Sequence, residues 1–283
     1  MRGLWLLAVM LLAGCQHVAA PPPINGEIRD LRNGQVLTAQ QLLTGLAEPE
    51  RLIIGEQHDN ADHHAAQLWL LRSLGEQRSQ GSLLLEMLTP DQQPRVDQVR
   101  QAKTPPAELP GALAWEDGWD WNFYGPIVRF ALTQPYPLLA ANLDSAEIRA
   151  FYRDPPVLKE TRSNTESVKA VLLEQISDSH CGLLPESQMP AMLAVQQQRD
   201  RRMAERLLAA PSPSVLLAGA WHARKDVGVP LHVVDLGAAQ APTVLMLAEQ
   251  GAEVTAAMAD YVWYTPATPK QDYCEQMRKQ SGK

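Results

Sequence analysis

Four short apolar runs constrain the fold of this 283-residue chain more than any other feature. Each run ends at a glycine or a polar residue, and the runs span Arg51–Ile54, Ser82–Leu85, Pro137–Ala141 and Ser214–Ala218. Short runs without polar alternation are typical of parallel strands that are covered on both faces. Two later runs, Thr243–Ala248 and Tyr261–Tyr264, are candidates for further strands.

Stretches with helical periodicity alternate with these runs, at about 62–79, 91–103, 124–134, 145–152, 163–178 and 189–209. This alternation predicts an α/β fold of a single domain, with a mostly parallel central sheet flanked by helices. The proline-containing segment 103–122 is expected to be a long connection and not a domain boundary.

Polar residues follow all four runs, at the edge where open α/β sheets bind their ligands. The first run leads into Glu56 and His58, the second ends at Glu86, the third ends at Asn142, and the fourth leads into His222. We expect these side chains to meet at one rim of the sheet. Each of them alone is also compatible with a solvated loop residue or a structural hydrogen bond.

Carboxylates and imidazoles can together hold a divalent metal, and a buried glutamate can act as a base on water. Glu56, His58, Glu86 and His222 are therefore candidate metal ligands and candidate catalytic residues of a hydrolase. The sequence lacks an HExxH motif, a GxSxG motif and the glycine patterns of nucleotide-binding loops. Covalent acyl transfer and nucleotide cofactors are therefore not expected.

His63 and His64 follow the first run closely. Asn60 or Asp62 can cap a helix that begins there, which places both histidines in its first turn. The positive end of the helix dipole disfavours imidazolium, so both side chains are expected to be neutral. A ligand role and plain hydrogen bonding remain open for them.

The first residues combine a positive charge at Arg2 with an apolar stretch from Leu4 to Leu12 that is too short to span a bilayer. Leu12-Ala13-Gly14-Cys15 resembles the lipobox of bacterial lipoproteins. This resemblance implies a signal peptide over 1–14, acylation of Cys15, a tether over 15–26 and a folded domain over 27–283. Gln16 favours the outer membrane, facing the periplasm or the cell surface. An ordinary secreted precursor is the alternative.

Two cysteines remain in the mature chain, Cys181 and Cys274. An even pair in an oxidising compartment predicts a disulfide. A metal site shared with His180 is the alternative, with Asp178 orienting the imidazole.

The net charge of -7 comes from scattered acidic residues, and the sequence contains no basic block. Nucleic acid is therefore not an expected partner.

Several of these motifs resemble the ChaN-like haem-binding lipoproteins. The resemblance rests on Gly55–Asn60 with His63-His64, Leu84–Glu86, His180–Gly182, Gly219–Arg224 with Gly228–Pro230, and Ala259–Pro266. It extends from about residue 45 to 275. It implies an iron-regulated lipoprotein that binds haem during uptake, as a dimer that encloses two stacked haems. A tyrosine would ligate the iron, and an outer-membrane haem receptor or a periplasmic haem carrier would be a further partner.

The same resemblance places the chain in a superfamily with the Tiki metalloproteases and erythromycin esterase-like enzymes. A divalent-metal-dependent hydrolase using the rim residues is therefore the alternative function.

The motifs do not include the haem-binding tyrosine, so candidates are ranked by their chemistry. A phenolate can ligate haem iron, and propionates favour arginine neighbours. Tyr152 lies in a helical stretch with Arg149 and Arg153, which share one face. A tyrosine that simply packs on the core is the alternative for this position. His64 and His180 are further candidate haem contacts, and Tyr124, within an aromatic cluster, is the second candidate ligand.

Overall fold

The computed structural model describes residues 21–269 and 272–280. The proposed signal peptide, Cys15 and the first part of the tether lie outside the described residues. Eight strands form one sheet in the described chain: β1 Ile28–Asp30, β2 Gln35–Leu37, β3 Arg51–Glu56, β4 Ser82–Leu85, β5 Leu138–Ala140, β6 Ser214–Gly219, β7 Thr243–Glu249 and β8 Tyr261–Thr265.

The helices of the described chain alternate with these strands. They are α1 Ala39–Ala47, α2 Ala61–Gln77, α3 Gln93–Ala102, α4 Leu109–Ala112, α5 Trp121–Leu132, α6 Ser145–Arg153, α7 Glu166–Ser179, α8 Met189–Ala209, α9 Ala220–Ala223, α10 Val229–Asp235 and α11 Tyr273–Gln280. All six predicted strands and all six predicted helices are present. The segment 103–122 is a connection that contains the short α4 and the first two residues of α5.

The sheet has the strand order β2-β1-β8-β7-β3-β6-β4-β5. The six strands from β8 to β5 are parallel, whereas β1 pairs antiparallel with both β2 and β8. The predicted α/β fold with a mostly parallel sheet is therefore confirmed. The two strands that the sequence did not reveal are three residues long and lie towards one edge of the sheet.

Two apolar layers cover the sheet. One layer packs α1–α5 against Leu52, Ile54, Leu83 and Leu85, and the other packs α8–α10 against side chains of the opposite face such as Ile53 and Leu216. This two-sided burial explains why β3, β4 and β6 read as continuous apolar runs.

The chain changes faces between the two neighbouring strands β3 and β6. The helix that follows β3 covers one face, whereas those that follow β6 cover the other face. Such a switch point opens a crevice at the carboxyl ends of the strands. The fold therefore positions the side chains after Ile54 and Ala218 at the mouth of this crevice.

A glutamine side chain closes the edge of the sheet at β5. Gln93 donates from Nε2 to the carbonyl oxygen of Leu138 (3.1 Å) and accepts from the amide of Ala140 (2.7 Å). The side chain thus replaces a neighbouring strand, and it protects an edge that would otherwise be free to pair with another chain.

The disulfide predicted from the cysteine count is present between Cys181 and Cys274, with their Cα atoms 5.5 Å apart. It ties α11 to the turn after α7 and closes a loop between residues 93 positions apart. Chain entropy gives such a closure about 4–5 kcal/mol of stabilisation. Because Cys181 is bonded to sulfur, it does not serve the alternative metal site with His180.

None of the helices in the described ranges is long and apolar enough to cross a membrane.

Candidate functional site

The register of the two central strands brings the rim residues together. β3 pairs with β6 so that Glu56 lies opposite Gly219. A Cβ atom at Gly219 would lie 2.7 Å from Nε2 of His58, which is too close for any side chain. Gly219 therefore allows the His58 imidazole to lie across the end of β6.

The Glu56 carboxylate is buried and binds two side chains through one oxygen. Its Oε1 accepts a hydrogen bond from the hydroxyl of Tyr124 (2.6 Å) and one from Nδ1 of His58 (3.0 Å). Because a carboxylate only accepts, Nδ1 of His58 carries a proton. The side chain of His58 is 42% exposed, so its Nε2 is the atom of this group that a ligand can reach.

The charge of Glu56 and the hydrogen bonds to it raise the pKa values of both of its partners. Burial raises the pKa of Tyr124 above its usual value, and the charge of Glu56 and the hydrogen bond to it raise this pKa further. Burial lowers the pKa of His58, but the hydrogen bond to Glu56 and the charge of Glu86 outweigh burial and raise it overall. The His58 imidazole can therefore hold a proton at the rim.

A second group of buried charges surrounds His222. Its Nδ1 donates to Oδ1 of Asp200 (2.6 Å), and its Nε2 lies 3.3 Å from Oε1 of Glu86. The other oxygen of Glu86 accepts from the amide of Gly219 (2.7 Å). The imidazole is thus held between two carboxylates that are fully buried, and it orders the first residues after β6.

These contacts favour an imidazolium between two carboxylates. Burial favours the neutral imidazole, but the charges of Glu86 and Asp200 and their hydrogen bonds raise the pKa of His222 to about 10. Burial likewise raises the pKa of Glu86, but the charge and hydrogen bond of His222 outweigh it and lower this pKa overall. His222 is therefore charged at neutral pH.

The two histidines at the start of α2 differ in their surroundings. Asn60 caps the helix through the amides of Asp62 and His63, so Asn60 is the capping residue and Asp62 is not. Nδ1 of His63 accepts from the amide of Gln57 (2.9 Å), and its Nε2 lies 3.1 Å from Oγ1 of Thr265. Burial and the charge of His64 lower the pKa of His63 to about 4. His63 is thus a neutral, structural hydrogen-bonding residue.

His64 lies under the aromatic wall of the site. Its Nε2 donates to the carbonyl oxygen of His58 (3.0 Å), and its ring stacks on Phe123 at 5.0 Å. Its Nδ1 lies 3.1 Å from Oε2 of Glu56, although the angles are not those of a hydrogen bond. Trp119 packs edge-on against His58 and completes this wall. His64 is therefore buried, and its hydrogen bond to His58 fixes the loop after β3.

The metal prediction is not supported by this geometry. Among residues 21–269 and 272–280, no three His, Cys, Asp or Glu side chains converge closely enough to hold a metal ion. Glu56 and Glu86 instead bind side-chain and backbone donors of the rim. The four predicted rim residues do come together, but as two groups of hydrogen-bonded charges.

Tyr152 lies on a different surface, on the outer face of α6. The phenol is 37% exposed, and it lines a pocket of about 500 Å³ together with Arg149, Arg153, Ala146 and Ile148. None of the nine residues of α6 is buried. Within the described chain, neither Arg149 nor Arg153 forms an ion pair, so two guanidinium groups remain available beside one phenol.

The other candidate haem contacts do not line this pocket. His64 lies at the rim, and His180 lies at the end of α7, where its Nδ1 donates to the carbonyl oxygen of Ile176 (2.7 Å). Asp178 therefore does not orient this imidazole. Tyr124 is 1% exposed and is engaged by Glu56, so the second candidate ligand is a structural residue of the rim.

Sequence reasoning missed Asp200, which is the buried partner of His222. Asp200 lies in the middle of the long α8 among charged and amide side chains, so its sequence context resembles a solvated helical face. It is 0% exposed, however, because α10 packs over this part of α8. Only the packing of two helices that are distant in sequence reveals its role.

Fold and site together define a ligand-binding α/β protein with a buried charge cluster at the switch point of its sheet. The sequence model of the haem-binding uptake family ChaN, of the Tiki superfamily, matches residues 42–233, and the chain belongs to this family.

One solved structure supports the same assignment. The chain is 29% identical to ChaN of Campylobacter jejuni, a structure described as showing cofacial haem binding; the match has a TM-score of 0.79 and covers 86% of this chain and 97% of that one. Family and structure together support haem as the ligand.

Two further solved structures match the chain at lower identity. A mutant of the erythromycin esterase EreC in its open conformation is 14% identical, with a TM-score of 0.46 and coverage of 90% of this chain and 86% of that one. The effector domain RRSP of Vibrio vulnificus is 15% identical, with a TM-score of 0.47. The match covers 84% of this chain and 39% of that one. No curated protein sequence matches the chain.

The charge of His222 predicts how stability depends on pH. Because its pKa is raised to about 10, its contribution is complete below the ordinary value of about 6.5 and is lost as pH rises through 10. His222→Gln leaves Glu86 and Asp200 without their cation, so we expect a loss of about 3–5 kcal/mol at pH 6.5. This loss should shrink towards pH 10. Urea denaturation of both proteins at several pH values measures the difference.

The matched control is His180→Gln, which changes a half-buried histidine outside the cluster and should have a small effect on stability. A destabilisation by His222→Gln that stayed constant from pH 6.5 to 10 would contradict a charged His222.

Proposed function

We propose that the chain binds haem on the face of α6 in a dimer of two copies, with Tyr152 as the iron ligand, as part of haem and iron uptake. This proposal rests on the side chains that the exposed face of α6 presents. Tyr152 lies between two arginines that have no acidic partner in the described chain, on a helix without a buried residue. Family membership supplies the ligand class.

The chemistry of this face fits haem. A phenolate is a suitable axial ligand for haem iron, and guanidinium groups match the geometry of propionates. Ile148 and Ala146 provide apolar contacts for the macrocycle. The pocket of about 500 Å³ lies within the usual range of about 300–1,000 Å³ for small-molecule sites.

The position of α6 is fixed, which a binding surface requires. Asp144 caps the helix through the amides of Ala146 and Glu147 (both 2.8 Å). Glu147 accepts two hydrogen bonds from Arg202 of α8, at 2.6 and 3.1 Å. The helix is therefore held on its inner side, while its outer side stays accessible.

A second copy accounts for the exposure of this face. Apolar and aromatic side chains on an otherwise uncovered helix are typical of surfaces that bind a partner or a ligand. ChaN of Campylobacter jejuni binds haems cofacially. Two copies that face each other through α6 would cover two stacked haems and bury Tyr152. A role for His64 or His180 in this site stays a prediction.

Tyr152→Phe tests the iron ligand. Removal of the phenolate oxygen should abolish the charge-transfer band and shift the Soret band of bound ferric haem, while far-ultraviolet circular dichroism stays unchanged. Arg149→Gln with Arg153→Gln should keep the spectrum but weaken haem binding about tenfold or more, because propionates lose charged partners. Tyr273→Phe, at another exposed tyrosine, is the control. A Tyr152→Phe spectrum identical to that of the parent would reject this ligand.

The proposed lipid anchor at Cys15 gives the protein its location at the outer membrane. Cys15→Ser should remove acylation and leave residues 1–14 attached, whereas the parent should be acylated and recovered in the membrane fraction. Membrane fractionation with mass determination of the N-terminal peptide measures both effects. Recovery of the parent without an acyl group, in the soluble fraction, would contradict the anchor.

A further inference from the structure

A second pocket, of about 550 Å³, lies among helices near the amino-terminal ends of the parallel strands, away from the rim. It is formed where α3 and α5 end and where the connection after α3 turns. A short connection joins α5 to the first residue of β5, so the pocket lies near the amino-terminal edge of the parallel strands. It is therefore separate from the rim and from the face of α6.

Apolar side chains form much of the wall of this pocket. Val99 and Leu109 are nearly fully buried, and Leu132 is half-buried. These side chains belong to three different helices, so the pocket is a gap between packed elements. Such a lining favours a ligand with a hydrocarbon portion over a wholly polar one.

Three cationic side chains complete the lining, and no acidic residue lines the pocket. They are Arg100, Lys103 and Arg129. Within the described residues none of the three forms an ion pair, although the chain carries a net charge of -7. Three cations without acidic partners around an apolar cavity favour an anionic group at its mouth.

Two of these cations are held in place before any ligand binds. Arg100 donates from Nη2 to the carbonyl oxygen of Gln134 (2.8 Å), which leaves its other N–H groups available. The guanidinium carbon of Arg129 lies 6.0 Å from the ring centroid of Trp121. Lys103 ends α3 in the left-handed conformation (φ 51°) and is exposed. A carboxylate would therefore meet donors that are already ordered.

We propose that this pocket binds an anionic amphiphile, a carboxylate with a hydrocarbon chain such as a free fatty acid. The carboxylate would pair with Arg129 and Lys103, and the chain would lie on Leu132 and on the accessible edges of Val99 and Leu109. Its lining includes no histidine, cysteine, tyrosine or methionine, so the pocket offers no axial ligand to haem iron. A free fatty acid is distinct from the ligand proposed for Tyr152.

Calorimetric titration with decanoate, below its micelle-forming concentration, tests the proposal. The full chain with Cys15→Ser is used, because it carries no acyl group of its own. We expect saturable binding, and Lys103→Gln with Arg129→Gln should weaken it about tenfold or more, because two charged partners are lost. Arg95→Gln with Lys159→Gln removes the same charge from exposed positions outside the pocket and should leave the affinity unchanged.

Decyl maltoside, a neutral amphiphile with the same chain length, should bind at least about tenfold more weakly, since the pocket selects charge. No saturable decanoate binding, equal affinity for the neutral amphiphile, or an unaffected double variant would each overturn the proposal. Binding to phosphatidylglycerol vesicles without binding to decanoate would assign the pocket to a membrane lipid, and it would overturn the proposal that a free fatty acid is the ligand. Tyr152→Phe should leave decanoate binding intact, which separates this test from haem binding.

Discussion

The pairing of β3 with β6 is the constraint on which the functional rim depends. Both strands are covered on both faces, and their register places Glu56 opposite Gly219. A shift by one residue would exchange the two faces of β3 and would remove Glu56 from Tyr124. Gly219 suits this place, because a Cβ atom there would displace the His58 imidazole, and its amide binds Glu86.

The buried charges of the rim and the exposed face of α6 belong to one continuous arrangement. Asn142 follows β5 and donates to the carbonyl oxygen of Glu86 (2.9 Å), so it fixes the chain immediately before α6. From there the helix that carries Tyr152 extends outward. The charged cluster around His222 is costly to bury, and we interpret it as the rigid base that orients this surface.

Much of the fold could be predicted from the sequence, because strands buried on both faces leave unbroken apolar runs and amphipathic helices leave a clear period. β1 and β2 were not predicted, because a strand of three residues is too short to show a pattern of apolar residues. The assembly of Glu56, His58, Glu86 and His222 followed from the rule that strand ends share one edge. Asp200 and the structural role of Tyr124 could not be predicted, because both depend on contacts between elements that are separate in sequence.

The measurement that tests the central claim most directly is a hemin titration of the Cys15→Ser chain, followed by absorbance and by mass in solution. Haem binding between two copies predicts a Soret shift that saturates at one haem per chain, together with a doubling of the mass. An absorbance that rises without saturation, at an unchanged monomeric mass, would contradict the haem-binding account.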